Sequence, residues 1–167
     1  NYGLKGWNMD QLAAETGMAK NTLYKIIGYK EDMVKEIYLN KIKSIERKLK
    51  GIINKNKSYF KKFLELDKIF LDLIQYTESR QAREVFLEYP QVENEIRKIK
   101  ERINNKIINF IKLGIEKEKL KNDNEADFYF DLILSFAFYY VKEKEIQNNK
   151  ELFRKSLKAL IKGIEKE

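Results

Sequence analysis

The sequence predicts an all-α protein, and three observations carry that expectation. Breakers are scarce: the 167 residues include one proline and seven glycines, too few for a strand-and-turn fold. Apolar residues recur at three- and four-residue spacing through nearly every segment, the period of an amphipathic helix. The polar clusters at 51–58, 121–124 and 147–149 fall between those periodic stretches, where connections belong.

The elements follow in order. Asn8 is placed to cap a short helix over 9–16, with Leu12 and Ala13 facing inward and Gly17 stopping it as a C-cap glycine does. A second short helix covers 20–26 and closes at Gly28. A long helix covers 31–53. Glu31 and Asp32 lie in its first turn, where the helix dipole favours acids. Its apolar stripe is Met33, Val34, Ile37, Tyr38, Ile42, Ile45, Leu49 and Ile52. Helices are then expected over 59–76 and 79–88. Pro90 opens a long helix to about 119, at a first-turn position that tolerates proline. Asn124 can cap a helix over 125–143, and a last helix covers 150–164.

Composition excludes several chemistries. There is no cysteine and no histidine, so no disulfide frame, no thiolate metal site and no Ser–His or Cys–His catalysis. Asp127 and Asp131 share a helix face, which solvated acids of an amphipathic helix commonly do. No cofactor, metal or enzymatic activity is expected. The longest apolar run, 128–141, is interrupted by Asp131 and Ser135 and is too short to span a bilayer; with no signal peptide or lipidation motif visible, a cytoplasmic location is expected. Hydrophobic residues make up 43% and charged residues 36%, and the net charge is +8. That balance points to an anionic partner without naming it. Position says more: from Thr16 to Lys30 there is no acid.

That acid-free stretch lies within N-M-D-Q-L-A-A-E-T-G-M-A-K-N-T-L-Y-K-I-I-G-Y-K-E-D-M at 8–33. Two short helices meeting at a glycine turn form a helix-turn-helix pattern. Leu12, Ala13, Met18, Leu23 and Ile27 are its expected core. The second helix then presents Lys20, Asn21, Thr22, Tyr24 and Lys25 outward. Lys and Thr suit phosphates, and Asn and Lys can also read base edges in the major groove.

These residues resemble the TetR (tetracycline-repressor-like) family of transcriptional regulators. The resemblance rests on L-A-A-E-T-G-M-A-K-N-T-L-Y at 12–24 and K-E-D-M at 30–33, against the family's I-A-x-x-A-G-V-S-x-x-T-L-Y-x-x-F-x-x-K-E-x-L. It implies an N-terminal helix-turn-helix DNA-binding domain, here 1–46, and a helical ligand-binding and dimerisation bundle, here 47–167. It also implies a phosphate contact for Lys30 and a helix ahead of segment 3–8, which this sequence lacks. Three departures stand out. Trp7 and Ala19 occupy positions where hydroxyl residues are usual, and Ile27 replaces an aromatic. The lost hydroxyls remove two expected phosphate contacts. Trp7 is expected to plug the core beside the missing helix. The DNA-binding set is thus Asn8, Lys20, Asn21, Thr22, Tyr24, Lys25 and Lys30.

The function expected is a repressor that binds palindromic operator DNA as a homodimer and is released by a small apolar or aromatic effector. Phe63, Phe70, Phe86, Phe110 and Phe130 fit a bundle enclosing such a ligand, with Gln75, Arg80 and Arg83 to orient it. The helices over 125–143 and 150–164 carry more apolar surface than one protomer's core needs. Their surplus face, Phe128, Leu132, Phe136, Tyr139, Leu152, Ser156, Ala159 and Gly163, is the expected dimer interface. Two other classes fit the same residues: a helical interaction module without DNA binding, and a ligand-binding bundle without a regulatory role.

Overall fold

The computed structural model describes residues 8–142 and 146–166, the second stretch with side chains from residue 150 onward. Among these residues the chain forms nine helices and no strand: α1 (Met9–Thr16), α2 (Lys20–Ile27), α3 (Lys30–Asn54), α4 (Tyr59–Glu65), α5 (Asp67–Glu78), α6 (Arg80–Glu88), α7 (Pro90–Glu116), α8 (Ala126–Lys142) and α9 (Ile146–Ile164). No helix among them is long and apolar enough to cross a membrane. The expected all-α class, with a short helix pair followed by a helical bundle, is the observed one.

Two hydrophobic clusters organise the chain. Met9, Ala13 and Leu23 form a small one between α1 and α2, flanked by Leu12, Tyr24 and Ile27. The large one runs from Val34 to Ile164. At its centre lies α5, which buries Ile69, Phe70, Leu71, Leu73, Ile74 and Thr77. A helix buried over most of its circumference marks the middle of a bundle. Thr77 meets the polar cost of that position by donating to the Leu73 carbonyl at 3.0 Å, the back-bond open to a helical threonine. Phe70 lies 5.9 Å from Phe130 of α8 and 6.4 Å from Phe153 of α9, ring centre to ring centre.

The two longest helices run parallel. Glu31 pairs with Gln91, Lys35 with Glu95, and Glu46 with Lys106, a constant offset that only a parallel pair gives. Arg102 adds a second contact to Glu46 at 3.5 Å. Parallel neighbours need a crossover connection, and α4 to α6 supply it. Alignment and packing set the seam, since exposed ion pairs are each worth only about 0–1 kcal/mol. Glu46 is the most enclosed member. Lys106 and Arg102 hold its carboxyl below the usual range. Its contribution is therefore present at neutral pH and is lost as pH falls through that lowered value.

Four expectations change. The helix expected over 59–76 is two, α4 and α5, although no glycine or proline marks the break. The Leu66 N–H closes a tight turn onto the Phe63 carbonyl at 3.1 Å, and both side chains are fully buried, so packing places the junction. The last helix begins at Ile146, so 147–149 is helical backbone rather than a loop. Helix α7 ends at Glu116, and Glu118 takes a left-handed φ of 54°. There the Lys119 and Leu120 N–H groups both return to the Gly114 carbonyl, and Leu120 forms an antiparallel bridge with Glu165. Finally, Met18 is 43% exposed, and Met9 takes the core place expected of it, because Met9 and Ala13 lie four residues apart on one face of α1. The proposed roles of Trp7 and of segment 3–7 lie outside the described residues.

Gly114 is a packing notch. A Cβ there would overlap the Tyr59 hydroxyl, whose ring stacks on Phe110 at 4.6 Å and 12°. Gly114→Ala should therefore destabilise the fold by about 1–3 kcal/mol, seen as a lower melting temperature by circular dichroism. Gly51→Ala, in the last turn of α3 with open space around the added carbon, should instead gain up to about 1 kcal/mol. An unchanged melting temperature in the first variant would show that Tyr59 is not fixed in the notch.

Candidate nucleic-acid interface

The α1–α2 unit is built from its caps. Asn8 Oδ1 accepts from the Gln11 N–H at 2.9 Å, and the Asn8 N–H donates to Gln11 Oε1 at 3.0 Å. This reciprocal box satisfies two of the donors a helix start leaves open. It commits the Asn8 oxygen to the cap and leaves Nδ2 for a contact outside. At the other end Gly17 adopts φ 65° and its N–H returns to Ala13 and Ala14. The Met18 N–H also reaches the Ala13 carbonyl, at 3.1 Å. That left-handed turn suits glycine, which carries no Cβ penalty. It reverses the chain within two residues and sets the angle of α2.

Helix α2 buries Leu23. Lys20, Asn21, Thr22 and Lys25 are exposed along the rest of it, and Tyr24 is half-buried. Four of the five residues expected to face outward are therefore exposed, and Tyr24 packs partly on the small core. Ala19 holds the N-cap position in extended conformation, φ −64° and ψ 138°, but contributes no side-chain cap. The first N–H groups of α2 consequently point outward without a side-chain acceptor from that position, a favourable end for an anion. Lys20 Nζ meets Asp10 at 2.6 Å, both exposed. The hydrogen bond with Asp10 raises the Lys20 pKa, so the ammonium stays charged.

The link from α2 to α3 depends on Gly28. Its φ of 70° and ψ of −154° lie in a region essentially reserved for glycine. A Cβ there would also meet Asp32 Oδ2 at 2.9 Å. Asp32 Oδ2 in turn accepts the Tyr29 N–H at 3.1 Å, which starts α3 and fixes half-buried Lys30 beside α2. Tyr29 is 72% exposed, and its ring lies 5.5 Å from that of Tyr24. Sequence reasoning passed over Tyr29; its place between the glycine turn and Lys30 was the available signal. Ile26, 62% exposed on the same helix as the basic residues, was passed over as well.

The other candidate residues divide. Phe63, Phe70, Phe110 and Phe130 are buried, and Phe86 is half-buried. Phe63 meets Phe110 edge to face at 5.8 Å. Gln75, Arg80 and Arg83 are exposed and do not face these rings. Gln75 continues the polar stripe of α5 through Lys68 and Asp72. Arg80 and Arg83 lie on the outer face of α6, where Arg80 pairs with Glu84 at 3.0 Å. A cavity of about 830 Å³ lies at the α7–α8 turn, lined by Lys112, Leu120, Asn124 and Asp127 among others, rather than among the rings.

The surplus apolar face of α8 and α9 is outward. Phe128, Phe136, Tyr139 and Leu152 are 51, 37, 50 and 36% exposed. Ala159 and Gly163 are exposed and Leu132 is half-buried. Ser156 is half-buried, its hydroxyl 2.7 Å from that of Tyr140. The opposite stripe of α9, Phe153, Leu157, Ile161 and Ile164, enters the core.

No family model and no curated protein matches the sequence. Solved structures do match, over nearly the whole chain. A TetR/AcrR-family transcriptional regulator of Thermobifida fusca superposes with a TM-score of 0.72 at 16% identity, covering 96% of this chain and 88% of its own. A ketosteroid transcriptional regulator of Mycobacterium tuberculosis gives 0.66 at 16% identity, covering 98% and 87%. The transcriptional regulator FadR of Bacillus subtilis, solved with stearoyl-CoA, gives 0.65 at 15% identity, covering 98% and 91%. These neighbours are transcriptional regulators rather than enzymes. Similarity this low in identity is similarity of fold, and the chain has the fold of the TetR-family transcriptional regulators.

Proposed function

We propose that the protein is a TetR-family transcriptional regulator, a repressor, that binds palindromic operator DNA as a homodimer with α2 of each protomer in the major groove. The observation that carries this reading is the outward arc of α2. Lys20, Asn21, Thr22 and Lys25 share one exposed surface in a stretch free of acids from Thr16 to Lys30. Asn21 and Lys25 reach base edges; Lys20, Thr22, Lys30 and the hydroxyls of Tyr24 and Tyr29 take phosphates. Residues 1–46 read DNA and 47–167 bind effector and partner, with α3 continuous across the division.

Two copies are needed because a palindrome presents half-sites about 34–36 Å apart. The exposed stripe of α8 and α9 is the surface that brings them together, since an apolar patch of this kind marks an interaction site. An effector that parts the buried rings around Phe63, Phe110 and Phe130 would shift α3 and change the spacing of the two reading helices. Such coupling must be reciprocal, effector and DNA each weakening the other by the same factor. Stearoyl-CoA, found with a regulator of the same fold, is the first probe for it.

Lys20 supplies the sharpest test. In the free protein Asp10 holds it, so a phosphate must compete with that carboxylate. Lys20→Ala should weaken binding to every duplex and reduce the salt dependence by about one ion. Asp10→Asn should strengthen binding by freeing the ammonium and removing a repelling charge. Fluorescence anisotropy against salt concentration reads both; identical curves for the three proteins would remove α2 from the interface.

Ala19→Ser restores a side-chain cap to a residue already in cap geometry. It should stabilise the start of α2 by about 1 kcal/mol, seen as slower hydrogen exchange over 20–27, and should tighten DNA binding through the added hydroxyl. Unaltered exchange would mean that α2 does not open locally.

Ala159→Glu should place an unpaired charge in the dimer interface. Ultracentrifugation should show monomer, and affinity for a selected operator should drop although α2 is untouched. A variant that remains dimeric, or a monomer that keeps full operator affinity, sinks the dimer assignment.

A further inference from the structure

The charge of the chain is concentrated away from the reading helix. Residues 41–62 hold nine Lys/Arg and one acid, an excess equal to the whole chain's +8. This stretch is the C-terminal half of α3 and the start of α4, whereas α2 adjoins the other end of α3. At 1.5 Å per residue, the helix carries Lys48 about 27 Å from its own start at Lys30. Two cations of this stretch, Lys48 and Lys55, border a cleft of about 550 Å³, walled by the last turns of α3, the α4–α5 junction and α9.

Four cations line the cleft, Lys48, Lys55, Lys68 and Arg154, against two carboxylates, Glu65 and Asp67. Internal pairing does not exhaust them. Glu65 is shared between Lys55 at 2.9 Å and Lys57, and this pair pulls its carboxyl down to about 2. Asp67, 5% exposed, meets Arg154 at 3.4 Å. That single long contact leaves most of the five guanidinium donors open. Lys48 leans to Asp72 at 3.2 Å, and Lys68, whose charge Asp67 also feels, makes no ion pair within 4 Å among the described residues. The floor is apolar, with Ile69 buried and Ile52 nearly so. At Gly51 a side chain is missing where one would meet nothing within 4 Å. A cleft of this volume lies in the range of small-molecule sites. Lysines acting as point charges beside one arginine suit phosphate oxygens carrying more than one negative charge.

We propose that this cleft between α3, the α4–α5 junction and α9 binds a small, multiply charged phosphate compound such as a diphosphate or nucleotide. The site is separate from the DNA-reading surface, and the proposal does not rest on that reading. Its occupant would bridge three elements of the bundle, α3 among them, and would stiffen the far end of the helix whose near end joins α2.

Inorganic pyrophosphate is the probe, titrated into the full chain by calorimetry at low and at physiological salt. Binding is expected at both, with chemical-shift changes at the Ile52 and Ile69 methyl groups. Two charge-matched variants decide whether a site exists. Lys48→Gln with Lys68→Gln removes two cations from the cleft and should weaken binding about tenfold or more. Lys43→Gln with Lys50→Gln removes two exposed cations of α3 outside the cleft lining and should change it by less than about twofold. Should the first variant melt early, Lys68→Gln alone, rescued by Lys68→Arg, carries the same comparison. Equal weakening in both pairs would mean diffuse attraction to a basic surface and would overturn the proposal. So would absence of binding, or binding abolished by physiological salt. A duplex DNA fragment that binds the cleft pair and the outer pair alike more weakly, while pyrophosphate does not bind, would assign the basic end to nucleic acid instead.

Discussion

Everything in this molecule hangs on α3. A 25-residue helix is stiff over about 37 Å, and this one is gripped along its length. From Val34 to Ile52 its buried side chains are sunk in the large cluster, with Leu39 in the place expected of Ile37, which is 54% exposed. At its start the Gly28 turn and the Asp32 carboxylate fix where α2 leaves it. Among the described residues, α2 has no independent anchorage in the bundle of comparable size. Whatever position the bundle imposes on α3, α2 inherits. The parallel pairing with α7 adds the topological demand that the chain return before α7 can begin, and α4 to α6 exist in part to make that return.

The two hydrophobic clusters differ greatly in size, with physical consequences. Among the described residues three buried side chains hold α1 to α2, whereas the bundle encloses stacked and edge-on rings through several layers. Local stability follows buried apolar contact. Among the described residues the α1–α2 unit thus rests on caps and glycine turns more than on burial. That economy explains why individual hydrogen bonds, the Asn8–Gln11 box or Asp32 on the Tyr29 amide, matter more here than any single ion pair in the bundle. It also explains how small movements of α3 can be passed on without unfolding the bundle.

Charge is arranged along the same axis. The near end of the molecule exposes an acid-free helix with one competing carboxylate, Asp10. The far end concentrates cations around a cleft whose carboxylates are outnumbered. A count over halves of the sequence misses this division, because α3 spans the boundary and its two ends belong to different surfaces.

The sequence by itself determined the class of the fold and the anatomy of the α1–α2 unit, because both follow from local rules. Helix spacing, the Asn8 cap, the Gly17 stop and the Gly28 turn act within a few residues of one another, so the α1 bounds and the exposed arc of α2 were legible in the chain alone. The outward stripe on α8 and α9 was legible for the same reason, two apolar faces on one helix being a property of spacing. What tertiary structure alone decided involves partners distant in sequence. Neither glycine nor proline signals the break at Leu66, which is set by the burial of Phe63 and Leu66 in the bundle. Nothing local turns Gln75, Arg80 and Arg83 away from the aromatic rings; their outward placement follows from which faces of α5 and α6 the neighbouring helices cover. The parallel register of α3 on α7, the notch at Gly114 for Tyr59, and the meeting of Lys48, Lys68 and Arg154 in one cleft join residues dozens of positions apart. Periodicity tells each helix which side to bury, but not against which neighbour, and that choice is made only when the whole core closes.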